Sequence, residues 1–243
     1  YVTIGLILAV TWLLIAFNKK MPRTGDKAGP MDLGPTFRRL LRNRNYLFGT
    51  AAQFCYVGAQ IGIWSFIIRY AMQELELEAV ARSIGGSTAE DLASSYYIAS
   101  LVLFLVFRFI CTWMMKFVTP ANLLAALSLF AAVLLLGTVN VGGLFGVYCL
   151  VAVSACMSLM FPTIYGIALD GLGEDTKLGS AGLIFAIVGG ALMPPLQGSI
   201  IDLGSVGGME AVRVSFVLPL ICFAVICLYG FRTARAHSPT LEG

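Results

Sequence analysis

Charge is scarce in this sequence. Of its 243 residues only 12% are charged and 58% are hydrophobic, whereas a soluble domain averages about 25% charged. Acidic residues are missing from the middle of every long apolar block; Asp170 and Asp202 stand at block ends. A proton-driven carrier needs a protonatable carboxylate in its pathway, so a carrier built with this chain must hold that carboxylate elsewhere. Histidine is reduced to His237, beyond the last block. The six cysteines, Cys55, Cys111, Cys149, Cys156, Cys222 and Cys227, lie inside apolar blocks and form no C-x-x-C motif. That pattern argues against a zinc site or a disulfide framework and reads as small apolar packing. H-E-x-x-H, Walker and G-x-S-x-G motifs are absent, and Gly85-Gly86 has no lysine to complete a phosphate cradle. The sequence therefore predicts neither an enzyme nor a bound cofactor or metal.

What the chain has in abundance is long apolar runs. Blocks at 45–72, 92–115, 121–139, 144–169, 181–203 and 211–231 are each near the roughly 20 residues that a helix needs to cross a bilayer. The fold expected is all-α, a polytopic six-helix membrane bundle over 45–231. Residues 1–17 form a shorter apolar block that starts abruptly, without the basic leader or cleavage site of a signal peptide, and read as the end of a preceding transmembrane helix. Residues 18–44 have linker composition, with Pro22, Gly25, Gly29, Pro30, Gly34 and Pro35. Residues 232–243 form a tail.

Basic residues orient the bundle. Lys19, Lys20, Arg23, Lys27, Arg38, Arg39, Arg42 and Arg44 lie between the first two blocks, and Lys116, Lys177, Arg232 and Arg235 lie at alternate later boundaries. Only Arg69, Arg82 and Arg213 fall on the other side. The linker, the connections near 116–120 and 170–180, and the carboxyl-terminal tail are thus expected in the cytoplasm. The same rule accounts for the net charge of +3 without a nucleic-acid partner. Arg38 to Arg44, with Phe37, Leu40 and Leu41, reads as a short interfacial helix at the lipid surface.

The most informative block is Asn45–Tyr70. Gln53, Tyr56, Gln60 and Trp64 fall within about 80° of one another on a helix. A polar-aromatic stripe has no use against lipid, so it must face protein or water. Gly58 and Gly62 form a GxxxG pair on another side, where a second helix can approach closely. One helix with a packing side and a wet side is how a solute pathway is lined. The 144–169 block repeats the pattern with Ser154, Ser158, Phe161 and Tyr165 on one narrow face, although serines also pack helices in membranes. Pro162 removes the donor that would bond the Ser158 carbonyl and permits a bend. The 181–203 block carries Gly182, Gly189, Gly190, Pro194, Pro195, Gln197 and Gly198, a composition for either a structural kink or a hinge. Arg108 lies within a span, as a charge facing the pathway or as a side chain snorkelling to the headgroups near Lys116.

Three motifs in order, Q-F-C-Y-V-G-A-Q-x-x-x-W-S-x-x-I-R-Y at Gln53–Tyr70, P-T-I at Pro162–Ile164 and L-G-x-D-T-K-x-G-S at Leu172–Ser180, resemble the L-fucose:proton symporters of the major facilitator superfamily. The likeness runs through most of 45–231, includes C-F-A-V-I at Cys222–Ile226, and is to the carboxyl-terminal half of such a permease. It implies a partner amino-terminal six-helix half that this chain does not contain, which would carry the proton-coupling carboxylates. It also implies a bacterial inner (cytoplasmic) membrane location and a three-plus-three inverted repeat, for which no residue-level counterpart is visible. It places Trp64 on the sugar, where an indole suits the apolar face of a pyranose and Gln60 and Gln53 suit its hydroxyls. Phe161 stands where the family has tyrosine and Phe107 where it often has glycine, departures that favour a hexose other than fucose.

Two functional readings follow. The first is half of a sugar:proton symporter working by alternating access. Its sugar contacts are expected from Trp64, Gln60, Gln53, Tyr56, Phe161, Ser158 and Tyr165, and its cytoplasmic gate from Arg108, Lys116, Glu174 and Asp175, with Lys177. The second is a membrane-embedded interaction or scaffold module without transport of its own. The stripe 53/56/60/64 favours the first, because a scaffold has no need of it.

Overall fold

A computed structural model describes Gly5 and residues 9–14, 33–77 and 88–236. Most of the first block, linker residues 18–32, the loop at 78–87 with Gly85 and Gly86, and the tail from His237 onward lie outside the described residues. Among the described residues the chain is helical apart from one two-stranded hairpin, Ser205–Val206 against Met209–Glu210. Six helical stretches are long and apolar enough to cross a membrane: Arg44–Glu74, Ala89–Met114, Pro120–Asn140, Gly143–Leu169, Gly173–Ile201 and Ala211–Ala236. They match the six expected blocks, except that the fifth begins earlier, through a 3₁₀ turn at Gly173–Asp175.

Local chemistry starts and stops these helices. A short helix α1 (Leu33–Arg42) forms within the linker, as its amphipathic pattern predicts. Asn43 then caps α2 (Arg44–Glu74) by accepting from the Tyr46 N–H at 3.1 Å. Thr88 and Asp91 make a reciprocal capping box at the start of α3 (Ala89–Met114). Pro120 occupies the first turn of α4 (Pro120–Asn140), where its missing N–H costs nothing. Gly142 and Gly143, at φ 69° and 57°, turn the chain into α5 (Gly143–Met157). The fourth span breaks after Met157 and resumes as α6 (Met160–Leu169). The fifth also breaks, into α7 (Thr176–Phe185), a 3₁₀ turn at Ala186–Val188, and α8 (Gly189–Ile201). The sixth comprises α9 (Ala211–Ser215) and α10 (Val217–Ala236). Both breaks fall where proline or glycine pairs mark the sequence.

Helix α2 is the centre of the bundle, touching α3, α5, α6, α8 and α10. Its glycines are what let α8 come close. A Cβ on Gly58 would meet the Gly189 carbonyl oxygen at 3.2 Å, and one on Gly62 would collide with Gln197 and Met193. On the facing helix, a Cβ on Gly189 would collide with the Phe54 carbonyl oxygen. The GxxxG pair thus packs as read, Gly58 against the Gly189 backbone and Gly62 against the Gln197 and Met193 side chains.

The outer end of α2 is clamped by charge. Glu74, whose side chain is 2% exposed, receives Arg213 Nε at 2.5 Å on Oε1 and Nη2 at 2.6 Å on Oε2. Its Oε2 also accepts the Gly143 N–H at 2.6 Å. One carboxylate therefore joins the ends of the first, fourth and sixth spans, a bidentate geometry that suits a guanidinium. One turn inward, the buried Tyr70 donates its hydroxyl to the Thr138 carbonyl at 2.8 Å and packs edge-on against Phe216.

The close crossing makes a sharp prediction. Gly189→Ala forces the Phe54 backbone away and should lower stability by about 1–3 kcal/mol. Gly198→Ala meets only Phe66 at 4.0 Å and should be neutral or slightly stabilising. Thermal unfolding of both variants in detergent checks the contrast; equal midpoints would mean that the crossing is not tight.

Candidate functional site

The break in the fourth span organises the site. Pro162 has no N–H for the Ser158 carbonyl four residues earlier, and Met157 ends α5. In a membrane core an unbonded carbonyl costs several kcal/mol. Two side chains from other helices answer that need. Tyr56 of α2 donates its hydroxyl to the Met157 carbonyl at 2.9 Å, and Arg108 of α3 donates Nη1 to the Ser158 carbonyl at 3.2 Å. The bend expected at Pro162 is present, and the charge expected within the span binds backbone exposed by that bend.

The two independently read stripes meet here. Trp64 donates Nε1–H to Ser154 Oγ at 3.2 Å and sets its ring edge-on to Phe104, centroids 5.2 Å apart. Tyr56 meets Phe161 edge-on at 6.2 Å, and Phe161 stacks on Tyr165 at 6.4 Å with ring planes 10° apart. Gln60, Trp64, Phe161 and Tyr165 are half-buried, which leaves an open aromatic edge beside an amide.

Part of the expected wet face is dry. Gln53 and Tyr56 are 0% and 1% exposed, so they sit in the interior of the bundle and do not line an open surface. For Tyr56 the reason is the Met157 carbonyl, which draws the hydroxyl inward. Both polar atoms of the Gln53 side chain lack hydrogen-bond partners among the described residues. Ser158 is also buried, its hydroxyl 3.9 Å from Cys111 Sγ. The open part of the candidate site is therefore Gln60, Trp64, Phe161 and Tyr165, with Tyr56, Ser154 and Ser158 supporting it from behind.

The expected cytoplasmic gate does not assemble as one cluster. Arg108 lies six residues before the end of α3 and reaches inward to Ser158. Asp175 pairs instead with Arg39 of α1, Oδ1 to Nη2 at 2.6 Å and Oδ2 to Nε at 2.9 Å. That hydrogen bond holds the Arg39 guanidinium above its ordinary pKa. Lys116, Glu174 and Lys177 are exposed. Arg39 was legible only as a topology signal, because nothing local ties it to a residue so distant along the chain.

With this geometry in place, relatives give it context. No protein-family model matches the chain. The L-fucose-proton symporter of Haemophilus influenzae is 43% identical over 233 residues, 96% of this chain and 51% of that protein. The L-fucose-proton symporter of Escherichia coli is 34% identical, over 97% of this chain and 50% of that protein. The chain is homologous to half of an L-fucose-proton symporter. A glucose/galactose transporter of Brucella abortus is 31% identical over 93% of the chain and 51% of its own length. The chain thus spans about half the length of the curated relatives it matches. The crystal structure of the major facilitator superfamily transporter FucP in the outward conformation superposes with a TM-score of 0.78 and 33% identity, over 98% of this chain and 54% of that one. These relatives are transporters, and the six spans of this chain match about half of the FucP fold.

A double-mutant cycle tests the helix-break reading. Arg108→Met leaves the Ser158 carbonyl short of a donor and should cost about 1–3 kcal/mol. In a Pro162→Ala background that carbonyl gains a donor from its own helix, so the cost should fall by at least about 0.5 kcal/mol. Thermal or denaturant unfolding in detergent measures both. Strict additivity would show that Arg108 and the break are uncoupled.

Proposed function

We propose that residues 45–231 are the carboxyl-terminal half of a proton-coupled sugar symporter and supply one wall of its central cavity. The observation that supports this most is the open edge of Trp64. Its indole is oriented by Ser154 and Phe104, is half-buried, and lies a turn from the amide of Gln60. Pyranoses present an apolar C–H face and a rim of hydroxyls, which such a pair matches. That relatives are named for L-fucose and for glucose and galactose supports a hexose as the substrate. Phe161 offers a ring without a hydroxyl, and the Tyr165 stacked on it carries one a turn further along.

The second wall and the proton-coupling carboxylates would come from an amino-terminal six-helix half. The distribution of basic residues supports a cytoplasmic carboxyl terminus and α1, in what would be a bacterial inner membrane. Arg108 would act on conformation, by holding the broken span, and not on sugar. The scaffold reading draws on one fact, that the chain spans half of its relatives. Co-expression with a matching amino-terminal half separates the two: restored sugar uptake supports the symporter, and a stable complex without sugar binding or uptake supports the scaffold.

Two outcomes are expected. Vesicles containing this chain alone should show no saturable, gradient-driven accumulation of L-fucose, D-galactose or D-glucose, because a one-walled pathway cannot alternate access. In an assembled transporter Trp64→Ala should weaken sugar binding several fold, from a stacking contribution of about 1 kcal/mol beyond buried area, and Trp64→Phe should retain part of it. Isothermal titration of both variants checks this. Unaltered affinity in the alanine variant would remove Trp64 from the site.

A further inference from the structure

Helix α1 divides into three sectors that do three different jobs. At about 100° per residue, Thr36 and Leu40 share one direction, Phe37 and Leu41 a second, and Arg38 and Arg42 a third. The first pair is buried against the bundle, at 4% and 3% exposure, with Leu40 in a small core alongside Tyr46, Ala168 and Leu183. The second pair is apolar yet uncovered, at 57% and 49%. The third pair is exposed and forms no ion pair with any described residue. Arg39 is fastened to Asp175, with Nη2 also donating to Thr36 Oγ1 at 2.9 Å, so the helix cannot roll about its axis without breaking that pair.

This geometry also forms a concavity. A cavity of about 590 Å³ is lined by Gly34, Pro35, Arg38, Arg39 and Arg42. Gly34 and Pro35 bring no long side chain to it, and of the described lining residues three are arginines and none is acidic. We propose that this concavity holds the phosphate headgroup of an anionic phospholipid, with Phe37 and Leu41 lying among its acyl chains. The assignment needs no part of the sugar reading; it needs only that the bundle crosses a bilayer.

The chemistry favours this occupant over a soluble one. Guanidinium groups match phosphate oxygens in a planar fork. A basic sector beside an uncovered apolar sector on one helix fits a headgroup with its chains attached, since a free anion would have no use for Phe37 or Leu41. The helix runs directly into the first span through Asn43, so its height is set at the end of a membrane crossing. A lipid seated there would add negative charge beside Arg39, whose partner Asp175 begins the broken fifth span. The lipid would thereby pin α1 at the surface through Arg38 and Arg42 and leave Arg39 to the protein.

The test is native mass spectrometry of the full chain in neutral detergent, with palmitoyl-oleoyl phosphatidylglycerol or the matching phosphatidylcholine added at equal concentration. Phosphatidylglycerol should be retained roughly tenfold more, as expected from basic residues acting together near the surface. The double variant Arg38→Gln, Arg42→Gln should fall to the phosphatidylcholine level, while Arg38→Lys, Arg42→Lys keeps most of the preference. Lys116→Gln with Lys177→Gln, on the same side of the bundle, should change nothing. Equal retention of the two lipids, or an unaltered preference in the glutamine variant, overturns the proposal. So does displacement of phosphatidylglycerol by excess inorganic phosphate, which would make the concavity a site for free anions. Loss of preference in the lysine variant as complete as in the glutamine variant overturns it as well.

Discussion

A helix that breaks inside a membrane must find partners for the backbone it exposes, and the candidate site depends on how this chain does so. The Met157 and Ser158 carbonyls cannot turn to water in a hydrocarbon core. Tyr56 and Arg108 reach them from two neighbouring helices, which fixes the first, second and fourth spans to one another at the level of the break. The aromatic edge then follows. Phe161 leaves the break beside Tyr56, Tyr165 stacks on Phe161, and Ser154, one turn before the break, holds the indole of Trp64. Arg108, an exposed residue within its span, thereby gains a backbone partner for its guanidinium.

Much of this was legible in the sequence, and for definite reasons. The six spans follow from runs of apolar residues, whose length is set by the bilayer. The angular position of Gln53, Tyr56, Gln60 and Trp64 follows from helical periodicity. The GxxxG contact and the bend at Pro162 follow from backbone sterics that act within one turn. Each of these is a local rule applied to a long, regular helix, and each survives into the folded chain.

What was misread is long-range. Periodicity says that a polar side chain avoids lipid, but it does not say whether the alternative is water or a carbonyl from another helix. Gln60 and Trp64 stand at an open edge, whereas Tyr56 was claimed by the break and Gln53 by the interior. The pairing of charges was equally hidden. Asp175 shares its loop with Glu174 and Lys177, yet its partner Arg39 lies 136 residues away in sequence. Glu74 and Arg213 could be placed on the same side of the membrane from topology, but not at bonding distance. The short α1 was visible as an amphipathic pattern, and its tether to the fifth span was not.

The carboxylate of Glu74 gives the bundle a mechanical character. Through Arg213 and the Gly143 amide, a single side chain ties together three spans that are far apart in sequence. Moving either partner span away from the first breaks a bond to a carboxylate that is itself 2% exposed. At the opposite end the charged link among the described residues is the largely exposed Arg39 to Asp175 pair, beside bonds from Asn45 to the Ile167 carbonyl and from Tyr46 to the Gly179 carbonyl. The two ends of the bundle are thus tied by salt links of very different burial.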